Sequence, residues 1–90
     1  MTPDEALAYY LGPHHTVMAT TLDEAVRLAL QEAAVRRKEG PEATAALIRV
    51  AHDELKMTYR GIEAASETDR AGGARIDAAT AQRIDSRNPR

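Results

Sequence analysis

The chain has 90 residues, no cysteine and a formal net charge of −2, and a chain of this length forms one domain at most. The absence of cysteine excludes a disulfide framework and a cysteine-based zinc site. Leu, Ile and Val number 15 while Phe and Trp are absent, so we expect a thin core that a partner or a second copy stabilises.

The N-terminal residues predict a short helix. Thr2 is placed to cap it, Pro3 suits its first position, and Glu5 completes a capping box. The pair Gly12-Pro13 should end the helix after two or three turns. A helix this short does not persist alone in water, so it should dock on the rest of the chain.

A second helix is predicted over about 21–39. Thr21 and Glu24 repeat the capping pattern at its start. Gly40 and Pro41 then leave almost no loop before the next helix, so the two helices should form a hairpin or a sharp corner.

The third predicted helix, over about 41–69, is the longest. Apolar or near-apolar residues recur in steps of three and four from Thr44 to Ala65, which indicates an unbroken amphipathic helix of about six turns. With the second helix, it should supply an intrachain core made of Leu22, Val26, Leu30, Ile48, Leu55, Tyr59 and Ile62.

The pair Gly72-Gly73 predicts a break. We therefore expect a helical domain over 1–70 and a basic C-terminal segment over 71–90, partly helical or flexible. This segment carries four Arg and two Asp, and it includes a short helical pattern between Ala74 and Ser86.

Each long helix also carries a second, weaker apolar row. Leu28 and Val35 are seven residues apart, as are Val50 and Met57, and this spacing returns a side chain to nearly the same side of a helix. These rows either pack beneath the terminal helices or contact another chain, and we favour a partner because little of the chain is left to cover them. Nearby arginines would attract an acidic partner surface. The predicted partner-binding residues are Leu28, Val35, Val50, Met57, Arg36, Arg37, Arg75, Arg83 and Arg87.

Signals for chemistry are weak. His14 and His15 are adjacent, so their side chains diverge, and the residue four positions after His52 is Lys56, so the HExxH pattern is absent. The chain has no Gly-rich phosphate loop and no GxSxG serine. The sequence thus predicts a protein that is not an enzyme and that has no catalytic residues, metal site, cofactor or small-molecule substrate.

Nucleic-acid binding is the alternative. The order of connector, helix, tight glycine turn and a helix containing Ala46–Ala51 resembles the ribbon-helix-helix repressors and antitoxins over residues 15–56. That resemblance implies a short strand at His15–Thr20, entering the DNA major groove as part of a two-chain ribbon. The strand has no Arg, Lys or Asn to read bases. Residues 1–69 also carry twelve acidic residues and seven basic ones, and this charge balance does not favour contacts with DNA phosphates.

The favoured interpretation is therefore an all-α protein that acts through protein–protein association. It would be a small assembly component, or a regulator or inhibitor that covers a partner protein. The polar helix faces mix Glu with Arg and lack Trp and Phe, so no membrane contact is expected. The N-terminus shows no signal-peptide pattern, and we expect a cytoplasmic location. The excess of Arg over Lys and the abundant Ala suggest an actinobacterial or phage source.

Overall fold

The computed structural model describes residues 1–13, 21–36 and 38–88. Within these ranges the chain forms five α-helices and no strand, which confirms the predicted all-α class. The strand proposed for His15–Thr20 lies outside the described residues, as does Arg37. None of the described helices combines the length and the apolar character that crossing a membrane requires. The helices are α1 (Pro3–Leu11), α2 (Leu22–Arg36), α3 (Pro41–Arg49), α4 (Tyr59–Ser66) and α5 (Ala78–Arg87).

The predicted starts of the first two helices are confirmed. The Thr2 hydroxyl accepts a hydrogen bond from the backbone N–H of Glu5 (3.2 Å), and the Glu5 carboxylate accepts one from the backbone N–H of Thr2 (3.1 Å). These hydrogen bonds lower the pKa of the Glu5 carboxyl group. The Thr21 hydroxyl likewise accepts from the N–H of Glu24 (3.1 Å). The α2 helix ends at Arg36, earlier than the predicted boundary.

The predicted unbroken helix over 41–69 is wrong. After α3 the chain widens into a π-helical turn, Val50–Glu54, and Lys56 then adopts a left-handed backbone conformation with φ of 58°. The N–H of Met57 donates to the carbonyl oxygen of Ala51 (2.9 Å), six positions earlier, and this bond closes the wide turn. Thr58 caps α4 by accepting a hydrogen bond from the N–H of Gly61 (2.9 Å). The chain therefore changes direction between Glu54 and Tyr59.

The break decides which apolar side chains are buried. Val50 and Met57 are 2% and 9% exposed and belong to the core, because the turn brings their row inward. Leu22, by contrast, is 40% exposed. A helical side chain leans toward the N-terminus, so at the first residue of α2 the Leu22 side chain points past the helix end. The buried apolar residues with the largest side chains are Leu7, Tyr10, Val26, Leu30, Leu47, Ile48, Val50, Met57, Ile62 and Ile76.

The helices pack around this core in a definite order. The α1 helix packs on α2 and α3, α4 packs on α2, and α5 packs on α3 and α4. Leu55 and Tyr59, which were predicted to be core residues, are half-buried at its edge. A 3₁₀ turn, Arg70–Gly72, precedes α5. The proposed division at residue 70 stays a prediction, and α5 forms one wall of the site described next.

Candidate functional site

The structure buries some of the predicted partner-binding residues and leaves others at the surface. Val50 and Met57 are buried, so the prediction that they contact a partner is wrong for the folded chain. Leu28 is 36% exposed and Val35 is half-buried. Val35 lies with Arg36 and Arg75 around one depression of about 370 Å³. The row of Leu28 and Val35 on α2 is therefore partly at the surface, whereas the row of Val50 and Met57 is buried.

Most of the predicted arginines already have partners within the chain. The half-buried Arg36 pairs with Glu32 (3.6 Å), and its guanidinium lies 5.5 Å from the centre of the Tyr10 ring. Arg75 lies 3.5 Å from the Glu63 carboxylate and 4.0 Å from that of Glu67. Arg83 donates to the Thr80 hydroxyl (3.1 Å). The carboxylates beside Arg36 and Arg75 offset the charge of these two arginines, whereas the hydroxyl beside Arg83 is neutral.

A different surface, on the outer side of α3, has the form of a groove. It consists of two adjoining depressions that share Glu42 and Asn88, and we call it the α3 groove. The first, of about 380 Å³, is lined by Lys38, Pro41, Glu42, Thr44, Ile84, Arg87 and Asn88. The second, of about 330 Å³, is lined by Met1, Glu42, Ala45, Ala46, Arg49 and Asn88.

The α3 groove has a mainly apolar first depression, a more polar second depression and cations at both. Two exposed cations, Lys38 and Arg87, stand at its first depression. Neither forms an ion pair with another described residue. Arg49 lines the second depression, and Glu42 is the acidic residue that both depressions share. Three cations and one anion give this surface a local charge of +2 on a chain whose net charge is −2.

Two tyrosines of α1 fix the corner from which α3 begins. The hydroxyls of Tyr10 and Thr44 lie 2.6 Å apart, and both lie within hydrogen-bonding distance of the Gly40 carbonyl oxygen. Burial raises the pKa of the Tyr10 phenol, so Tyr10 stays neutral. The Tyr9 hydroxyl donates to the carbonyl oxygen of Glu39 (3.2 Å). Lys38 and Pro41, at the first depression, are held beside these contacts.

The other end of the α3 groove is tied to α5. Arg49 donates from its guanidinium to the carbonyl oxygen of Asn88, and the Asn88 side chain donates to the carbonyl oxygen of Ile84 (2.6 Å). These bonds close the C-terminal end of α5 against α3. The wall that carries Ile84 and Arg87 is therefore held in place by side chains from both helices.

Neither the protein-family models nor the curated proteins and solved structures compared with this chain gave a match. The ribbon-helix-helix alternative also stays a prediction, since its DNA-reading strand falls outside the described part of the chain.

Sequence reasoning found one residue of the α3 groove and missed the others. Arg87 was expected to meet an acidic partner, and it lies on the rim. Lys38 and Ile84 were missed, because 46 positions separate them in the chain and neither belongs to a long apolar row. A usable signal was present in α3, where the adjacent small side chains of Ala45 and Ala46 mark a shallow place on the helix surface.

Proposed function

We propose that this chain acts by protein–protein association, and that the α3 groove receives an acidic amphipathic helix of a partner protein. The observation that carries this proposal is a cation-rimmed apolar groove on a chain that is otherwise acidic. In such a role the chain would be an assembly component or a regulator that covers part of its target.

The shape of the groove favours a helix as the occupant. Ala45 and Ala46 form a floor of small side chains, which lets another backbone approach closely. Ile84 lines the first depression, and Met1, which is 55% exposed, lines the second. A partner helix can lay its apolar residues in a groove of this kind at helical spacing.

The charge of the groove favours an acidic occupant. Lys38 and Arg87 have no ion-pair partner among the described residues, so carboxylates of a partner can meet them without breaking an existing pair. Rim charges of this type act mainly on the association rate and on the choice of partner. Binding should therefore weaken as the salt concentration rises.

A synthetic peptide provides the test. The probe is a fluorescent amphipathic helix of about fifteen residues built from Leu and Glu, and the matched control peptide has Lys in place of Glu. Fluorescence anisotropy should show saturable, salt-sensitive binding of the acidic peptide and much weaker binding of the basic one. The variant Arg87→Glu should weaken this binding by about tenfold.

Arg83→Glu is the matched control variant. It makes the same charge change on the same helix at a residue that does not line the groove. Equal losses in Arg83→Glu and Arg87→Glu, or equal binding of the two peptides, would overturn the proposal. Sedimentation covers a further outcome: self-association that Arg87→Glu abolishes would show that the occupant is a second copy of the chain and not an acidic helix of another protein.

A further inference from the structure

A histidine and two aspartates come together where α5 meets the π-helical turn. His52 and Asp53 belong to the π-helical turn, and Asp85 belongs to α5. One ring nitrogen of His52 and one carboxylate oxygen from each aspartate lie within 4.8 Å of one another. His52 and Asp53 are half-buried, and Asp85 is only 1% exposed. Three donor groups from two separate segments thus surround one small volume.

The imidazole of His52 is oriented by two contacts. Its Nδ1 lies 2.9 Å from the carbonyl oxygen of Met57, and since a carbonyl can only accept, Nδ1 carries the proton. The lone pair is then on Nε2. The ring also stacks on Tyr59, with 4.3 Å between ring centres and 12° between planes. Metal-binding histidines are commonly held in this way, by a backbone carbonyl on the nitrogen that does not bind the metal.

The carboxylate of Asp85 is oriented as well. The Tyr59 hydroxyl donates to its Oδ2 (2.7 Å), so Tyr59 contacts both the histidine and the buried aspartate. A hydrogen bond to a ligating carboxylate is the second common feature of a supported metal site. The turn that carries His52 and Asp53 is a π-helical segment of five residues inside a helical region, and such segments are frequent at functional sites.

From this geometry we infer that His52, Asp53 and Asp85 bind a divalent transition-metal ion, with Zn²⁺ as the best fit. Imidazole and carboxylate together suit zinc, and a site made of oxygen ligands alone would suit magnesium or calcium better. The ion would bring positive charge between the two carboxylates. It would link the turn after α3 to α5. This inference is independent of the α3 groove.

A permanent cation is the competing explanation. The Arg49 guanidinium donates to the carbonyl oxygen of Asn88 at the end of α5, so a protein charge also lies near this end of the helix that carries Asp85. If Arg49 supplies the charge that the carboxylates need, added metal will not bind with a defined stoichiometry. Metal titration of the folded chain separates the two explanations.

The experiment uses the untagged chain, freed of metal with a chelator. Isothermal titration with ZnCl₂ should show one ion bound per chain, and zinc should raise the melting temperature. His52→Gln and Asp53→Asn should each weaken zinc binding by more than tenfold, and Tyr59→Phe should weaken it by about tenfold, because it removes only the supporting hydrogen bond. The double variant His14→Gln/His15→Gln controls for binding by the adjacent histidines and should bind as the wild type does.

Loss of zinc binding in the His14/His15 variant with retention in His52→Gln would overturn the inference, as would the absence of saturable binding to the wild type. The absorption spectrum of Co²⁺ added to the wild-type chain covers the case in which a variant fails to fold. Visible bands of a protein-bound ion that added zinc displaces support the site, and a spectrum identical to that of aqueous cobalt rejects it.

Discussion

Gly40 offers the sharpest test of how α1 holds the corner between α2 and α3. A Cβ atom at this position would lie 2.6 Å from Cε1 and 2.9 Å from Cζ of Tyr9, well inside van der Waals contact. The Tyr9 ring is held by its hydrogen bond to Glu39 and by an edge-to-face contact with Tyr10, with ring centres 5.0 Å apart. Gly40→Ala must therefore displace the Tyr9 ring and lose these contacts.

The magnitude follows from two opposing effects. Forcing a methyl group into a packed contact costs about 1–3 kcal/mol. The backbone at Gly40 has φ of −135°, which alanine can adopt, so the lower entropy of the unfolded chain returns about 0.4–1 kcal/mol. The expected net change is a loss of at most about 2.5 kcal/mol in the free energy of unfolding.

A double-mutant cycle isolates the contact. Urea unfolding followed by far-ultraviolet circular dichroism would be measured for the wild type, Gly40→Ala, Tyr9→Ala and the double variant. In the Tyr9→Ala background the steric cost of Gly40→Ala should disappear and its entropic gain should remain, which gives a coupling energy of about 1–3 kcal/mol. An unchanged cost in that background would show that the methyl group meets something other than Tyr9, and the account of the corner would be wrong.

Three further predictions concern the helix break and one exposed ion pair. Met57→Glu should unfold the chain, because Met57 is buried and an unpaired buried carboxylate is costly. Lys56→Glu, at the neighbouring exposed position, should leave the far-ultraviolet spectrum unchanged. Lys56→Gly should raise the free energy of unfolding by about 1 kcal/mol, because glycine adopts a positive φ without strain, and Lys56→Ala should not; equal effects would place the strain elsewhere. The hydrogen bond from Arg70 lowers the pKa of the Glu32 carboxyl group in the folded chain, so this pair stabilises the fold above the ordinary Glu pKa, and its contribution is lost as the pH falls through the lowered value. The stability difference between wild type and Arg70→Gln should accordingly shrink between about pH 7 and pH 3, and a constant difference would contradict the pairing.

Features that depend only on residues close together in the sequence were predictable. The caps at Thr2 and Thr21 were predicted and are present, because a hydroxyl placed three residues before a backbone N–H needs no tertiary context to bond to it. The all-α class follows from the same local preferences together with the helical apolar periods.

The break between α3 and α4 could not be predicted from apolar spacing alone. The spacing continues from Leu55 to Tyr59 and Ile62 across the turn, so the period contains no interruption. The informative residue was Thr58, which lies beside Tyr59 in the sequence and caps α4. Lys56 gave no local signal either, since a positive φ is rare for lysine and is maintained here within the surrounding structure.

The sites depend on pairs of residues far apart in the chain. His52 and Asp85 are 33 positions apart, and Glu42 and Arg87 are 45 apart. A single sequence gives no sign that residues so far apart lie close together in the fold. Their proximity follows from the way α5 packs across α3 and α4, which is set by the buried side chains Ile76 and Ala81 together with the core beneath them.

The break also changes the reason for expecting a partner. An unbroken third helix would have left Val50 and Met57 on an uncovered apolar row, and association would then have been a means of burying them. The observed turn buries both side chains within the chain, so association is not required to cover that row. What remains is an imbalance of charge: Lys38 and Arg87 stand without an ion-pair partner among the described residues, beside apolar walls, on a chain with net charge −2. An association driven in this way should weaken as the salt concentration rises. This dependence distinguishes it from association that serves mainly to hide an apolar surface.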